Sequence, residues 1–354
     1  MSIPGLSGHE GPVRRYIKEK LVDIGLATKT DRLGNLIATI KGDSGAPSVM
    51  LFTHMDQLGF VVRKIEPDGY LRVERVGGVP ERALASQDVR ICVAGGAIIQ
   101  GVIANKAHHA TTPDEKYQVV PYAEIYVDAG FSSDAEAQRA GVKIGAPVVY
   151  APAAYRLGEY LIVGAAVDDR AGCAVVLDAA RGLAAAQKRP TVHLVFSVQE
   201  EFNLRGALTA AQVIQPDIAI QIDLILATDT PDMAYRGDVK LGGGPAISLY
   251  SFHGRGTLNG VIPHPAMVQL FEHSAARLDM PLQRSAHTGC LTDNSYVQLV
   301  GGGVAAIDVG FPMRYSHSSR EMCDLRDLEA LSRLLQCAIQ SVEKGFSLDR
   351  DDYE

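Results

Sequence analysis

The chain has 354 residues and a formal net charge of −7, with 47% hydrophobic and 21% charged residues. An acidic chain does not suit nucleic acid or an anionic membrane as its main partner, and no apolar run reaches the roughly 18 residues of a membrane span. The five cysteines are scattered and form no C-x-x-C pair, which is typical of reduced thiols. We therefore expect a soluble cytoplasmic protein and find no signal peptide in its first residues.

The first part of the chain predicts a helix followed by strands. Ser7 is the predicted N-cap, and Glu10, three residues on, completes a capping box. Val13, Ile17 and Leu21 then repeat at helical spacing. Two apolar segments follow and predict strands over 35–40 and 48–53.

From about residue 66 to 155 the pattern changes to short β-rich segments interrupted by glycines. Segments 89–93 and 97–103 are examples, and one helix-like segment, 134–140, ends at Gly141. Short strands broken at such intervals predict a small barrel or sandwich.

After residue 160 strands and helices alternate again, which predicts a mixed sheet covered by helices on both faces. The predicted helices are 171–186, 207–214, 265–278 and 325–344, and the predicted strands are 191–198, 218–227 and 303–309. The fold class is therefore α/β. A catalytic domain of residues 1–65 and 160–354 would contain an inserted β-barrel-like domain, residues 66–159, and the acidic tail, residues 349–354, would be disordered.

Two adjacent carboxylates, Glu200 and Glu201, end an apolar run that starts at Val195. An unpaired buried charge is costly, so this position indicates a cation in front of them. Neighbours on an extended chain point in opposite directions, so one can bind a metal while the other reaches a water on that metal. A solvated strand-to-loop junction is the alternative. A glycosidase pair is excluded, because such carboxyls lie roughly 5 Å or more apart across the substrate.

His54 and Asp56 stand two residues apart at another strand end, so both side chains leave the same face. A metal-binding histidine often has its other ring nitrogen held by a carboxylate. His54 as ligand with Asp56 behind it is therefore chemically sensible, although an ordinary surface loop would give the same pattern.

Further acids and a histidine occupy similar positions. Asp168 and Asp169 precede a predicted helix; capping explains one of them, while Asp168 could bridge two metals, and Asp169 and Arg170 could pair or hold the loop. Asp223 interrupts an otherwise apolar strand, where a buried carboxylate needs a partner. A lone histidine such as His317 is more often structural than a metal ligand. The ligand interpretation of His317 depends on the other candidate ligands.

Two histidines and several carboxylates without thiolates describe a site for Zn²⁺, Co²⁺ or Mn²⁺. Two such ions about 3.5–4 Å apart can bind a carbonyl oxygen and generate hydroxide near neutral pH. The residues therefore predict a two-metal hydrolase.

Short motifs along nearly the whole chain match one known family. They are PGLSGHE (4–10), DRLGN (31–35), HMDQLGF (54–60), DAG (128–130), GVKIG (141–145), VDDRAGC (167–173), VQEE (198–201), LRGA (204–207), DTP (229–231), TD (292–293) and RYSHS (314–318). With them the chain resembles the tetrahedral aminopeptidases, dinuclear metallopeptidases that include glutamyl aminopeptidases and are often labelled endoglucanases. Five separated ligand-bearing motifs in this order are highly specific.

The resemblance implies a zinc-exopeptidase-like fold and a ligand set. His54, Asp168 and Asp223 would hold one metal, and Asp168, Glu201 and His317 the other, so that Asp168 bridges. Zinc is the expected ion.

The resemblance also implies roles for two other residues. Glu200 would be the general base that takes a proton from the bridging water and returns it to the leaving amine, and Asp56 would orient His54. In this family the inserted domain mediates assembly, commonly into a twelve-subunit tetrahedron with internal active sites. Short unfolded peptides are then the expected substrates.

Departures from the family pattern affect the pocket and the assembly and leave every implied ligand in place. We expect the usual leading helix to be shortened or absent. Gln57 replaces a common acid, Phe202-Asn203 follows the glutamate pair, and the loop at Gly242 lacks a lysine. Two other functions remain open. One is a deacylase or related amide hydrolase with the same metal centre, and the other is a non-catalytic assembly protein derived from the enzyme.

Overall fold

The computed structural model describes residues 1–254 and 258–353. Its α-helices are α1 (Gly11–Asp23), α2 (Asp134–Arg139), α3 (Val167–Ala185), α4 (Gly206–Ile214), α5 (Pro265–Arg277), α6 (Asn294–Val297) and α7 (Leu325–Gln340). None of the helices in these two ranges is both long and apolar enough to cross a membrane.

The strands follow the alternation expected from the sequence. They are β1 (Thr28–Thr30), β2 (Leu36–Ile40), β3 (Val49–His54), β4 (Gly59–Ile65), β5 (Leu71–Val76), β6 (Asp88–Cys92), β7 (Ile98–Ile103), β8 (Tyr126–Asp128), β9 (Pro147–Tyr150), β10 (Tyr155–Leu157), β11 (Leu161–Gly164), β12 (Val192–Ser197), β13 (Ile218–Leu226), β14 (Ala246–Phe252), β15 (Gly260–Val261), β16 (Gln283–Thr288), β17 (Ala305–Arg314) and β18 (Glu321–Asp324).

A large mixed sheet forms the centre of the α/β part. Within the described residues it has twelve strands. Nine follow the order β1-β2-β12-β3-β13-β17-β18-β11-β10, β14 pairs with β17, and β15 and β16 pair with β14. Its four central strands, β12, β3, β13 and β17, run parallel. All six residues of β3 are buried, as expected for a parallel strand with both faces covered.

Helices cover both faces of this sheet, as predicted. Val49 and Leu51 of β3 belong to the core beneath α1, α3, α5 and α7, whereas Met50 and Phe52 belong to the core beneath α4 and α6. Successive side chains of a strand point to opposite faces, so one apolar strand serves both cores. Each fully buried side chain of this size contributes about 1.5–3 kcal/mol.

The remaining strands close an antiparallel barrel in the order β4-β5-β8-β7-β6-β9. Its interior is packed with apolar side chains such as Phe60, Val73 and Val127. The barrel-like fold is confirmed. Its strands extend from residue 59 to 150, and β10 already pairs with β11 in the large sheet, whereas the predicted insertion was 66–159. The division into two domains stays a prediction.

Two local predictions were wrong. The first concerns Ser7, which does not cap α1: the helix begins at Gly11 after Glu10, with no side-chain cap, and the Ser7 hydroxyl donates to Asp56 at 2.6 Å. A hydrogen bond to a charged carboxylate is stronger than one between a hydroxyl and a backbone N–H group. The Ser7 hydroxyl therefore binds Asp56 and does not cap the helix.

The second concerns the acidic tail, which was expected to be disordered. Residues Arg350–Asp352 form a short 3-10 helix, and the Tyr353 hydroxyl donates to the Ser347 carbonyl at 2.9 Å. Tyr353 also packs against the main core. This apolar contact orders the tail, and the acidic composition of the tail gave no sign of it. Glu354 lies outside the described residues.

Candidate metal centre

The predicted site residues meet at the carboxyl edge of the central parallel strands. His54 is the last residue of β3 and lies in register with Ser197, the last residue of β12. Glu200 and Glu201 lie in the loop after β12, separated from it by two residues, and Asp223 lies in β13, the other parallel neighbour of β3. In open α/β sheets, binding sites form at this edge, since strand ends and loops converge there.

Two compact groups of potential ligands share one carboxylate. His54, Asp168 and Glu201 each offer one ligand atom, and these atoms all lie within 4.8 Å of one another. Asp168, Asp169 and Asp223 form a second group under the same limit. Asp168 is the member common to both, which is the position that a bridging ligand needs.

His317 joins this cluster from the loop between β17 and β18. Its Nε2 lies 3.6 Å from Asp168 Oδ2 and 3.7 Å from Glu201 Oε2. Its Nδ1 lies 2.9 Å from the carbonyl oxygen of Gly78, in the loop after β5. Because a carbonyl can only accept, Nδ1 carries the proton in the neutral ring, and Nε2 is left with a free lone pair towards the carboxylates.

His54 is buried between carboxylates. Its Nε2 lies 3.0 Å from Asp168 Oδ1, and its Nδ1 lies 3.4 Å from Asp56 Oδ1, although within the described residues Nδ1 has no hydrogen-bond partner. Burial lowers the pKa of His54, but Glu200, Asp168 and Asp56 outweigh it and raise that pKa well above its ordinary value. The surroundings of His54 therefore favour positive charge.

Asp56 also lies beneath the two glutamates. Its carboxylate accepts hydrogen bonds from the backbone N–H groups of Glu200 and Glu201, both at 3.1 Å, and from Ser7. Burial raises the pKa of Asp56, but the contacts with His54, Ser7 and Glu200 prevail and hold it below its ordinary value. Asp56 is thus an ionised anchor for the loop that presents both glutamates.

The electrostatics of the cluster fit a cation. Burial, reinforced by nearby carboxylates, raises the pKa of Glu200 and of Glu201 well above the usual range, and raises that of Asp223 to about 8. One oxygen of Glu201 is buried without a hydrogen-bond partner among the described residues. Divalent cations relieve both penalties, and a donor set of imidazoles and carboxylates suits Zn²⁺, Co²⁺ or Mn²⁺.

Comparison with known proteins decides the family. Residues 34–334 match the M42 glutamyl aminopeptidase family. The chain belongs to this family. It is 32% identical to the lysyl aminopeptidase of Pyrococcus furiosus, over 96% of this chain and 94% of that protein.

Solved structures agree with the M42 assignment. The aminopeptidase APDkam598 of Desulfurococcus kamchatkensis superposes with a TM-score of 0.90 at 34% identity, covering 98% of this chain and 93% of that one. The TET1 peptidase of Pyrococcus horikoshii, described as assembling into a tetrahedron or a large octahedral shell, superposes with a TM-score of 0.85 at 28% identity, covering 95% and 96%. The expected family and the assignment as a peptide hydrolase are confirmed.

In this M42 chain, the residues that follow Asp168 have separate tasks. Asp169, whose backbone is not helical although it lies in the first turn of α3, accepts a hydrogen bond from the Gly172 backbone N–H at 3.2 Å and so caps the regular helix that follows it. Arg170 donates to the Gln57 side chain at 3.3 Å and to a backbone carbonyl near the N-terminus. No salt bridge of Arg170 occurs among the described residues. The ion pair between Asp169 and Arg170 is therefore not formed. The alternative expectation, that these residues hold the loop, fits Arg170, which binds the N-terminal segment and Gln57.

Sequence reasoning missed two supporting groups of this M42 site. Glu321, the first residue of β18, accepts hydrogen bonds from the backbone N–H of Asp168 at 3.1 Å and of His317 at 2.8 Å. The sequence offered one signal for Glu321, which is that an acidic residue stands at the first position of a short buried strand. The carbonyl of Gly78 had no such signal, because it lies in a glycine-rich loop of the barrel and acts through its backbone.

Proposed function

We propose that this chain is a two-metal aminopeptidase that removes N-terminal residues from short peptides. The observation that supports this most is the sharing of Asp168 between two groups of ligand atoms at the carboxyl edge of the sheet. Membership of the M42 family makes peptide-bond hydrolysis the matching reaction.

The proposed division between two ions follows the family resemblance. It differs from the two compact groups, in which His54 lies with Glu201 and Asp169 lies with Asp223, and it shares with them the central place of Asp168. His54, Asp168 and Asp223 would hold one divalent ion, and Asp168, Glu201 and His317 the other. Bound there, two such ions supply Lewis-acid chemistry, which polarises a substrate carbonyl and lowers the pKa of water. We propose Zn²⁺ as the native ion, with Co²⁺ and Mn²⁺ accepted by the same donors.

Glu200 is the proposed general base. It would take a proton from the attacking water and deliver it to the amine that leaves. Its Oε2 lies 4.0 Å from His54 Nε2, so its carboxylate faces the ligand cluster. A buried carboxylate of raised pKa is better matched to proton transfer near neutral pH than an exposed one is.

Asp56 is the proposed positioning partner of both His54 and Glu200. Asp56 lies against the His54 ring and accepts a hydrogen bond from the Glu200 backbone. A single rigid carboxylate would thereby hold a ligand and the base in one geometry, which is the condition for efficient proton transfer.

We also propose that the barrel mediates assembly into a tetrahedral dodecamer, with dimers as building blocks, in the cytoplasm. The Pyrococcus horikoshii TET1 peptidase, which can assemble into a tetrahedron or a large octahedral shell, supports the tetrahedral assembly. A closed particle with internal sites would admit short unfolded peptides and exclude folded proteins, nucleic acid and membranes. Elution as a monomer at micromolar concentration would contradict the assembly.

The activity is tested with metal-loaded protein on a panel of aminoacyl amides and short peptides, each with and without an N-acetyl group. We expect release of the N-terminal residue from the free peptides, with N-acetylation abolishing it. Cleavage of only the acylated substrates would favour the deacylase. No cleavage at all with Zn²⁺, Co²⁺ or Mn²⁺ would contradict an enzymatic function.

A further inference from the structure

Glu321 joins two proposed ligands that come from distant parts of the chain. It is 2% exposed and opens β18. Its Oε2 accepts from the backbone N–H of Asp168 at 3.1 Å, and its Oε1 accepts from that of His317 at 2.8 Å. Both oxygens of one carboxylate are thus used, one for each ligand-bearing segment.

The backbone of His317 needs such support. Its φ is +67°, in the left-handed region, which a non-glycine residue adopts at a cost of roughly 1–2 kcal/mol. Strained backbone persists only where its surroundings hold it. The bond from the His317 N–H to Glu321, four residues on, closes the loop in that conformation.

The hydrogen bonds of Glu321 indicate more than a packing role. A polar side chain is costly to bury unless it is hydrogen-bonded, and both oxygens of this buried carboxylate bind backbone N–H groups of ligand-bearing segments. An apolar residue would close the strand more cheaply, but it would leave two convergent N–H donors without an acceptor.

We propose that Glu321 is a positioning residue that sets the spacing between Asp168 and His317 and so tunes metal affinity. This inference rests on the proposed function, in which those two residues are ligands of the same ion. A glutamine at 321 has one acceptor oxygen for two donors, and an aspartate is one methylene shorter. Either change should release one of the two segments.

The test compares Glu321→Gln and Glu321→Asp with the wild-type protein and with Asp324→Asn. Asp324 is a matched control, because it is a buried carboxylate of the same strand that binds Arg326 and no proposed ligand. Zn²⁺ binding is measured by competition with a chromophoric chelator, and thermal unfolding is followed with and without Zn²⁺. Peptide KM and kcat are measured at saturating Zn²⁺.

We expect Glu321→Gln and Glu321→Asp to bind Zn²⁺ roughly 10–100-fold more weakly at one or both sites. Zinc should also raise their unfolding temperature less than that of the wild type, while Asp324→Asn keeps the wild-type affinity and zinc response. KM at saturating Zn²⁺ should stay unchanged, since Glu321 is buried and both of its oxygens bind backbone N–H groups.

Wild-type zinc affinity in both Glu321 variants would overturn the inference. Failure of both variants to fold while Asp324→Asn folds would also overturn it, since Glu321 would then be needed only for the stability of the fold. A wild-type protein that binds no Zn²⁺ or cleaves no peptide would instead refute the proposed function, so the two failures are distinguishable.

Discussion

The Oδ1 atom of Asp56 accepts a hydrogen bond from the backbone N–H of Glu200 at 3.1 Å. The resemblance implied that Asp56 orients His54, and the contact with that ring is present at 3.4 Å without a hydrogen bond. Its bonded partners are the backbone of the glutamate pair and the hydroxyl of Ser7. Asp56 therefore connects the end of β3 to the loop after β12.

The first prediction concerns Asp56→Asn. The amide has one acceptor oxygen, so at least one bond to the glutamate backbone is lost and the loop loosens. We expect roughly a 10–100-fold loss in kcat/KM, as for other partners behind metal ligands. Steady-state peptide hydrolysis measures it. Ser7→Ala is the control: it removes one donor to the same carboxylate and should cost only about 1 kcal/mol of stability.

Glu200→Gln should retain both metals and lose activity. The amide keeps the shape of the side chain but cannot accept the proton of the attacking water, so kcat should fall by roughly 10²–10⁴. Metal content and initial rates are measured on the same preparation. Glu343→Gln, an exposed change, should leave both untouched. Loss of metal from Glu200→Gln would mean that Glu200 is a ligand and the base is another residue.

Asp168→Ala should lose both ions, because Asp168 belongs to both ligand groups. Metal content after dialysis, measured by atomic emission, should fall from two equivalents per chain towards zero. Asp178→Ala, on the same helix but with a side chain 60% exposed, should retain two. Two full equivalents in Asp168→Ala would rule out bridging.

Gly78→Ala tests the contact between the barrel and His317. A Cβ at this position would lie 2.9 Å from His317 Nδ1 and 3.1 Å from its Cε1, and beyond its two chain neighbours it would meet no other described residue within 4 Å. The ring should move while the fold persists. We expect a small change in unfolding temperature and about tenfold weaker binding of one Zn²⁺.

The control for Gly78→Ala is Gly302→Ala, where a Cβ would meet nothing within 4 Å in the part of the chain that the structure describes, apart from its chain neighbours. It should change neither stability nor zinc affinity. Equal zinc affinity in the two variants would show that the Gly78 contact does not position His317.

Asn35→Ala should destabilise the fold. The Asn35 amide donates to Asp31 at 2.6 Å and to the Gly206 carbonyl at 2.9 Å, and its oxygen accepts from the Val198 N–H at 3.1 Å. Removing it leaves buried groups unsatisfied at about 1–3 kcal/mol each, so a loss of roughly 3 kcal/mol or more is expected in urea unfolding. Asn105→Ala, an exposed position, should change stability by less than about 0.5 kcal/mol.

Much of the fold followed from short-range patterns. The helix around Val13, Ile17 and Leu21 and the strands that became β3, β12 and β13 were predicted because periodicity is a local property. Errors arose where a polar side chain had a distant partner. Ser7 satisfied every local rule for an N-cap, yet Asp56 in another segment takes its hydroxyl.

The candidate site divides in the same way. Acids at the ends of apolar runs are visible in the sequence, since a charge next to a buried strand is improbable without a partner. The partners themselves, such as Glu321 for Asp168 or the Gly78 carbonyl for His317, are contacts between segments far apart in the chain. No pattern within a segment can reveal them.

By itself, the sequence determined the α/β and barrel classes, the family and the donor atoms available for a metal, because these depend on the order and chemistry of residues along the chain. The tertiary structure alone decided which donors converge and what holds them. Asp168 is shared between two groups of potential ligands, Asp56 binds the backbone of Glu200, and the barrel contacts His317. The physical reason is that hydrogen bonds act over about 3 Å in space, whatever the separation in sequence.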